Sequence, residues 1–529
     1  MRAFKVGAGA LLLLFLAGSA ADLQTQSEPR KPAVSSSIDS AISRKARPAD
    51  DGEFLRRVML DLVGYPPNLE EVKAFLADTN PNKRVAKIDE LLNTEAWADF
   101  WSRRFAEAFF GNYHDVKMDT MPKLSKAARD RIVGDFIRWF KLQLQKDRPW
   151  TDIVAAMLDA RGTDEGDPAL AYKLSFYNEE GPVSEFANNV ARHMLGIRLL
   201  CAKCHDHPFD NWTVEHFYGL AAFNARMRAR GYGNSSEKDA VEHVEIKYAE
   251  EGEAMINDVE IDSDIVKKSK SGGAAKPIFL FGGQAPPGPG VDRVKILVQL
   301  MTNKGNTQLP RALANRVWGW LFGRGVVHPV DDFAARRNKP VVNGVLDALA
   351  RDLIQNGYSV KHLVRAICNS QVYQLSCEAD GTYAKVDFSR GTIQQLSGEQ
   401  LINSILVATK GAPERNIGRV LQMVQSLFPA GAIWCETTPL PGNARQALLL
   451  RNNQEIMSWI SGGGVLSRIK SMQGTDEQKV EEMFLAALSR KPTDAEKARY
   501  AAFVKQHPGS GWEDAYWTLL NSTEFVTRH

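Results

Sequence analysis

Beyond its first 21 residues, the sequence lacks any apolar run long enough to cross a membrane, since a span needs about 20 apolar residues. It also lacks an excess of charge of one sign, because 66 Lys and Arg against 63 Asp and Glu leave a net charge of +3. No basic stripe is interleaved with aromatic residues, so nucleic-acid binding is not expected. No Gly-rich loop follows a strand, and no HExxH motif is present, which argues against a nucleotide-binding fold and a zincin.

One apolar run stands at the start of the chain. Arg2 and Lys5 provide positive charge, residues 6–17 are mostly apolar, and small residues follow at 18–21. This order is typical of a signal peptide cleaved near Ala21, and it predicts a periplasmic or extracellular protein. An uncleaved N-terminal anchor is the alternative.

The 529 residues are more than one apolar core usually holds, so more than one domain is expected. Residues 22–50 are polar and rich in Ser, Ala, Pro and Lys, which predicts a flexible tether. Helical periodicity favours a helical domain over 51–232 and another over 291–529. Alternation at residues 244–248 predicts a small β element within a connector over 233–290. The predicted fold class is therefore mainly α, with two helical domains joined by a small β-containing connector.

Individual helices are indicated by caps and by spacing. Gly64 should end one helix, and Asn68 with Glu71 forms a capping box that begins the next. A long helix from about Ser184 is expected to run into Cys201. Aromatic residues four apart predict a buried face of a further helix: Trp97, Trp101, Phe105 and Phe109.

Cysteine is scarce, with five residues, but two of them form a motif with His205. The segment 201–205 reads CAKCH, the pattern of covalent c-type haem attachment. In that chemistry Cys201 and Cys204 form thioethers with the two haem vinyl groups, and His205 ligates the iron. Haem attachment occurs outside the cytoplasm, which agrees with the predicted signal peptide.

Two other interpretations of this segment stay open. Thiolate and imidazole ligands also suit zinc or iron, so Cys201 and Cys204 with residues of the next turn are a candidate metal site. The additional candidate ligands are His205, Asp206, His207 and Asp210. A CxxC pair in an exported protein is alternatively a disulfide.

The sequence does not single out a sixth ligand for a haem iron. His207 is too near His205 to reach the opposite face of the ring, and a five-coordinate iron is also allowed. The remaining candidates are His193, Met194, His216, Met227, His328 and His362.

Two further groups of residues have uncertain roles. The pairing of Cys368, Cys377 and Cys435 stays open: a disulfide from Cys368 to either of the other two would leave one free thiol. The adjacent carboxylates Asp331 and Asp332 are candidates for catalysis or metal binding, although such pairs more often serve as caps or ion-pair partners.

Several segments of the chain are similar to a known family. Residues 54–67 (FLRRVMLDLVGYPP), 201–210 (CAKCHDHPFD) and 217–223 resemble the planctomycete cytochrome-associated domain of unknown function 1549. Residues 311–318 (RALANRVW) and 321–333 (LFGRGVVHPVDDF) resemble its usual partner, domain of unknown function 1553, as do 369–375 and 520–525. The resemblance implies a large exported protein in an envelope redox setting, with a secreted sulfatase-like protein as a possible partner.

These observations lead to three hypotheses about function. The first is an exported c-type haem protein that acts in electron transfer with a redox partner. The second is a secreted metal-dependent enzyme, with a polysaccharide substrate suggested by the family's sulfatase-like company. The third is a binding or structural protein whose CxxC pair is a disulfide.

Overall fold

The computed structural model describes residues 31–43, 45–111, 123–177, 181–252, 254, 273–333, 337–378, 387–414, 416, 418–420, 423, 454–462 and 464–529. The predicted signal peptide and Cys435 lie outside these residues.

The described residues are mainly helical, as predicted. Their helices are α1 (Ala33–Ala41), α2 (Asp51–Val63), α3 (Leu69–Ala77), α4 (Lys83–Leu92), α5 (Glu95–Phe110), α6 (Lys126–Gln145), α7 (Trp150–Asp159), α8 (Ala171–Leu174), α9 (Pro182–Leu195), α10 (Val214–Ala221), α11 (Arg293–Thr302), α12 (Gln308–Phe322), α13 (Val345–Gln355), α14 (Val360–Cys368), α15 (Gly398–Lys410), α16 (Gln454–Ser461), α17 (Val465–Ser471), α18 (Asp476–Leu488), α19 (Asp494–Gln506) and α20 (Gly511–Leu520). No helix of the described ranges combines the length and the apolar character that a membrane span requires.

Two small sheets accompany the helices. The strands are β1 (Gly162–Thr163), β2 (Met227–Asn234), β3 (Val241–Tyr248), β4 (Gln394–Gln395) and β5 (Thr527–Arg528). The first sheet has the antiparallel order β1-β3-β2, with Gly162 opposite Ile246 and Met227 opposite Tyr248. Since β1 comes from the helical region before the predicted connector, the sheet packs as part of that region.

The local signals in the sequence set the helix ends as expected. Asp50 and Thr94 accept hydrogen bonds from backbone N–H groups at the starts of α2 and α5. Asn68 and Glu71 form both bonds of the predicted capping box. Gly64 ends α2 in the left-handed conformation, at φ 81°. The aromatic face of α5 is buried, as predicted, at Trp97, Trp101, Phe105 and Phe109.

The prediction of a flexible tether over 22–50 is wrong for the part that the structure describes. Val34, Ile38 and Ile42 are buried at a spacing of four, because α1 packs against α13 and α14. Ser35 donates a hydrogen bond to the carbonyl of Ala366 at 2.7 Å. Composition alone missed this helix, since its apolar residues stand between serines.

Two apolar clusters form the interior, and they do not divide at residue 291. The larger cluster contains side chains of α1–α14, and the smaller contains side chains of α15–α20. Apart from Leu485 in the larger cluster and Leu60 in the smaller, the change from one to the other falls between Phe388 and Leu396. The helices after the predicted connector therefore share their core with the first half of the chain.

Helix α2 lies where the two clusters meet. Its Asp61 is fully buried and forms an ion pair with Arg528, at 2.7 Å from the arginine Nε. The hydroxyl of Tyr373 donates a hydrogen bond to the same carboxylate at 2.7 Å. Arg56, also in α2, donates to the carbonyl of Phe525 at 2.8 Å. These contacts connect the start of the helical core to its last turns.

We predict that Asp61→Asn strongly destabilises the protein. The change leaves the buried guanidinium of Arg528 without its countercharge, which costs about 3–5 kcal/mol. Urea denaturation followed by circular dichroism measures the free energy of unfolding. The control is Asp130→Asn, because Asp130 pairs with Lys126 on the exposed surface and its loss should cost less than about 1 kcal/mol. Equal losses in the two variants would contradict the prediction.

Candidate functional site

The CxxCH motif lies in a short turn and not at the end of a long helix. Helix α9 ends at Leu195, and Gly196 follows in the left-handed conformation at φ 66°. A Cβ at this position would lie 2.5 Å from the ring of Phe333. The predicted continuous helix into Cys201 is therefore wrong, because close packing at Gly196 turns the chain.

The two cysteines of the motif occupy one face of a 3-10 helical turn, Leu200–Lys203 and its cap Cys204. Residues three apart superimpose along such a turn, so Cys201 and Cys204 lie on the same side of it. Cys201 is exposed and Cys204 is half-buried, and both are free thiols. Ala202, between them, is buried and anchors the turn.

The imidazole of His205 has a defined orientation. Its Nδ1 lies 2.8 Å from the backbone carbonyl of Asp206. A carbonyl oxygen only accepts, so Nδ1 carries the proton, and Nε2 of the neutral ring keeps its lone pair. The side chain of Asp206 accepts a hydrogen bond from the N–H of Val214 at the start of α10, at 3.2 Å. This helix start therefore holds the segment that orients His205.

His207 is buried and bonded within its own loop. Its N–H donates to the carbonyl of Trp212 at 2.7 Å, and its Nδ1 accepts from the N–H of Phe209 at 3.3 Å. Burial lowers the pKa of His207, and the positive charge of Arg337 adds to this effect, while Asp210 and Asp332 oppose it. The ring is therefore a neutral structural group of the loop.

The predicted metal ligands do not form a coordination group in the structure. The Asp206 carboxylate caps α10, and His207 bonds to its own loop. Within the described ranges, no three His, Cys, Asp or Glu side chains come together in a way that would hold a metal ion. The zinc or iron alternative thus has no preformed ligand set in this part of the chain.

The second half of the chain forms one wall of the motif loop. Arg337 lies over the ring of Phe209, with its Cζ 5.2 Å from the ring centroid. Asp332 holds Arg337 at 2.9 Å and accepts from the side chain of Asn338 at 2.9 Å. The N–H of Phe333 donates to the carbonyl of Gly196 at 2.7 Å. Residues on both sides of the predicted connector therefore shape the site.

Asp331 joins the two segments electrostatically. Its side chain is fully buried and forms two ion pairs. One carboxylate oxygen lies 2.5 Å from Nε of Arg192, and the other lies 2.8 Å from an Nη of Arg198. Burial alone would raise the pKa of this carboxyl, but the two guanidinium groups outweigh burial and hold it below its ordinary value. Asp331 and Asp332 are thus ion-pair partners in the structure, which was the plainer of the two interpretations.

Most candidates for a sixth iron ligand make other polar contacts or are buried in the core. Burial lowers the pKa of His193 well below its ordinary value, and its Nδ1 lies 3.3 Å from the hydroxyl of Tyr172. His216 completes the capping box of α10, and His362 pairs with Asp352 at 2.7 Å. Met194 and Met227 are buried in the core, while His328 is half-buried in the segment before Asp331.

Exposed apolar side chains surround the motif. Leu200 is 42% exposed and Phe209 is 54% exposed. Trp212 of the same loop contacts Phe281, at 6.2 Å between ring centroids. Phe281 is 44% exposed. The motif therefore has an apolar border.

Sequence reasoning did not find Arg198, Arg337 or Phe209. Single arginines and phenylalanines carry no motif, and only the fold shows that residues 198 and 331 meet. Of the two pairings open to Cys368, the one with Cys377 is not formed, because both residues are separate buried thiols. The alternative partner, Cys435, lies outside the described residues.

The protein is thus a mainly helical chain with a CxxCH turn, and the loop of this turn is contacted by Arg337 from the second half of the chain. One family model, described as protein of unknown function DUF1549 (PSCyt2), matches residues 33–229. A second, described as protein of unknown function DUF1553 (PSD1), matches residues 293–437. The two domains therefore match in the predicted order. No curated protein and no solved structure matches it.

We predict that Asp331→Asn destabilises the protein by about 1.5–3 kcal/mol at pH 7, because the buried side chain loses its charge-assisted hydrogen bonds to the partly exposed guanidinium groups of Arg192 and Arg198. The folded-state pKa of Asp331 is lowered, so the stabilisation is complete above its ordinary value of 3.8 and disappears as the pH falls through the folded value. Thermal denaturation between pH 7 and pH 3 measures this.

The difference in melting temperature between wild type and variant should shrink below about pH 4. The control is Asp347→Asn, because Asp347 pairs with Arg311 on an exposed surface at 3.3 Å. A difference that stays constant over the pH range would contradict the role given to Asp331.

Proposed function

We propose that this chain is an exported c-type haem protein with a role in electron transfer or related redox chemistry. In this proposal Cys201 and Cys204 would be the thioether anchors and His205 would ligate the iron. The observation that carries the proposal is the arrangement of the turn: two accessible thiols on one face, followed by an imidazole whose Nε2 keeps its lone pair.

The residues present fit such a group. A ligand histidine usually donates its other ring N–H to a carbonyl or carboxylate, which fixes the tautomer and the orientation of the ring. The hydrogen bond from His205 Nδ1 to the carbonyl of Asp206 has this form. The exposed side chains of Leu200, which precedes Cys201, and Phe209, in the loop after the motif, offer apolar surface of the kind that a porphyrin face requires.

The chain's own groups account for attachment without a net change of oxidation state. Each thiol, of Cys201 and of Cys204, would add across one vinyl double bond, with sulfur bonded to one carbon and hydrogen to the other. When bound, the haem supplies an iron centre that accepts or releases one electron, with a potential set by its axial ligands and its exposure to solvent. His205 would hold the iron, and the apolar border would limit access of water.

The location and the partners belong to the same proposal. Thioether formation takes place outside the cytoplasm, which fits export through the N-terminal 21 residues. An electron-transfer role requires a redox partner. The family resemblance suggests a different partner, a secreted sulfatase-like protein.

We predict that protein exported from a host with haem-maturation machinery carries the mass of one haem and shows a Soret band. Intact-mass spectrometry and absorption after denaturation test for covalent attachment. Cys201→Ser with Cys204→Ser should abolish the added mass, and His205→Ala should shift or abolish the Soret band. The control is His507→Ala, because His507 is exposed and its ring bonds to the carbonyl of Phe503, far along the chain from the motif.

An unmodified mass and a silent spectrum from correctly exported wild-type protein would overturn the proposal. Elemental analysis of the same sample then distinguishes the alternatives. Stoichiometric zinc or iron would favour the metal site, and the absence of metal with two fewer titratable thiols would favour the disulfide.

A further inference from the structure

A cavity of about 620 Å³ lies where the two apolar clusters meet, and none of its described lining residues belongs to the CxxCH loop. One wall comes from the end of α2 and from α3, α5 and α6, and the other comes from α15 and the loop after it. Small-molecule sites typically have volumes of about 300–1,000 Å³ and often lie between domains. This cavity therefore has the size and the position of a ligand site, and the proposed function does not use it.

Three carboxylates and two cations form a continuous ion network along the cavity. Lys141 lies 2.7 Å from Glu95 and 3.3 Å from Asp99. Arg103 pairs with Asp99 and, at 2.5 Å, with Glu399. Burial would raise the pKa of Asp99, but Arg103 and Lys141 lower it overall, so this carboxyl stays charged at neutral pH.

Two further carboxylates make the cavity negatively charged. Glu71, at the start of α3, accepts from the N–H of Asn68 in the capping box and forms no ion pair within the described part of the chain. Glu414 lies 3.4 Å from Arg419, which is not a lining residue. Even when Arg419 is included, five carboxylates stand against three cations among the described residues. A cavity with such an excess attracts a ligand of positive charge.

The cavity also has a hydrogen-bond donor without an acceptor. Asn403 of α15 is only 5% exposed, and its Oδ1 accepts from the N–H of Glu414 at 3.2 Å. Its Nδ2 donates to none of the described residues, and protein atoms do not seal this nitrogen, so it faces the cavity that Asn403 lines. A donor at a buried residue costs free energy unless an acceptor or water reaches it. The ligand should therefore carry an oxygen acceptor as well as a positive charge.

We propose that this cavity binds an amino sugar, a ligand with a protonated amine flanked by hydroxyl groups. The amine would pair with a carboxylate of the cavity such as Glu71, and a hydroxyl oxygen would accept from Nδ2 of Asn403. The apolar side chains of Val63, Pro66 and Val407 offer contacts for the carbon atoms of the ring. A simple amine would supply no acceptor, and a neutral sugar would leave the negative excess uncompensated.

The test compares three ligands on the full chain by isothermal titration calorimetry: glucosamine, N-acetylglucosamine and cyclohexylamine. A buffer at about pH 6 keeps the amines protonated and the carboxylates ionised, and sodium chloride holds the ionic strength constant. Saturable binding of glucosamine is expected. N-acetylglucosamine keeps hydroxyl groups without the charge, and cyclohexylamine keeps the charge and the ring without hydroxyl groups. Each should therefore bind about tenfold more weakly, as expected for loss of one charge-assisted contact.

Two variants assign the binding to this cavity. Glu71→Gln should weaken binding of both amines about tenfold, and it keeps the capping box because a glutamine side chain also accepts from Asn68. Asn403→Ala should remove the preference for glucosamine over cyclohexylamine, because only the sugar has acceptors for Nδ2. Equal weakening of both amines in Asn403→Ala would contradict the role given to this donor.

The matched control is Glu70→Gln. Glu70 is the neighbouring residue of α3, pairs with Arg468 on the exposed surface at 3.1 Å and does not line the cavity. The variant changes the net charge as Glu71→Gln does and should leave glucosamine binding unchanged. Circular dichroism and melting temperature confirm that each variant is folded.

Three results would overturn the proposal: absence of saturable glucosamine binding, equal affinity for N-acetylglucosamine, or equal weakening in Glu71→Gln and Glu70→Gln. None of these measurements depends on haem at the CxxCH turn. The amino-sugar site can therefore stand where the proposed function fails, and the reverse also holds.

Discussion

The ion pair between Asp61 and Arg528 is the contact on which the arrangement of the two apolar clusters depends. Both side chains are almost completely buried, so each charge is stable there only because the other is present. Tyr373 donates to the same carboxylate, and Arg56 of the same helix reaches the carbonyl of Phe525. Helix α2 thus connects side chains more than 300 positions away. Such polar contacts define one relative placement of the clusters, which apolar packing alone would specify less sharply.

The same physical principle recurs at the CxxCH turn. Asp331 is buried and needs the guanidinium groups of Arg192 and Arg198, so the segment before the motif is held against the second half of the chain. Gly196 permits this approach, because any Cβ there would meet the ring of Phe333. The position of His205 is therefore a consequence of contacts made several residues earlier. The motif is contiguous in sequence, whereas residues that surround it come from a segment more than 100 positions later in the chain.

Sequence patterns predicted what depends on near neighbours. The capping box at Asn68, the helix end at Gly64 and the buried aromatic face of α5 each involve residues within a few turns of one helix. Patterns could not show that α9 stops at Gly196, because the reason is the distant ring of Phe333. They also could not show that α1 forms, since burial of Val34 and Ile38 depends on α13 and α14. The motif itself was visible, while the arginines that flank it became meaningful only when Asp331 was placed beside them.

The contacts across the chain also give a physical reason for the paired order of the two family domains. Arg198 belongs to the segment that matches DUF1549, and Asp331 belongs to the segment that matches DUF1553. Without the DUF1553 segment, the DUF1549 segment would lose the carboxylate that holds its motif loop. Without the DUF1549 segment, the carboxylate of Asp331 would lose its two arginine partners. Helices α9 and α12 pack together within the same apolar cluster. The unit that folds around the CxxCH turn is therefore made by both segments, and a chain with only the first would present the motif without its charged wall.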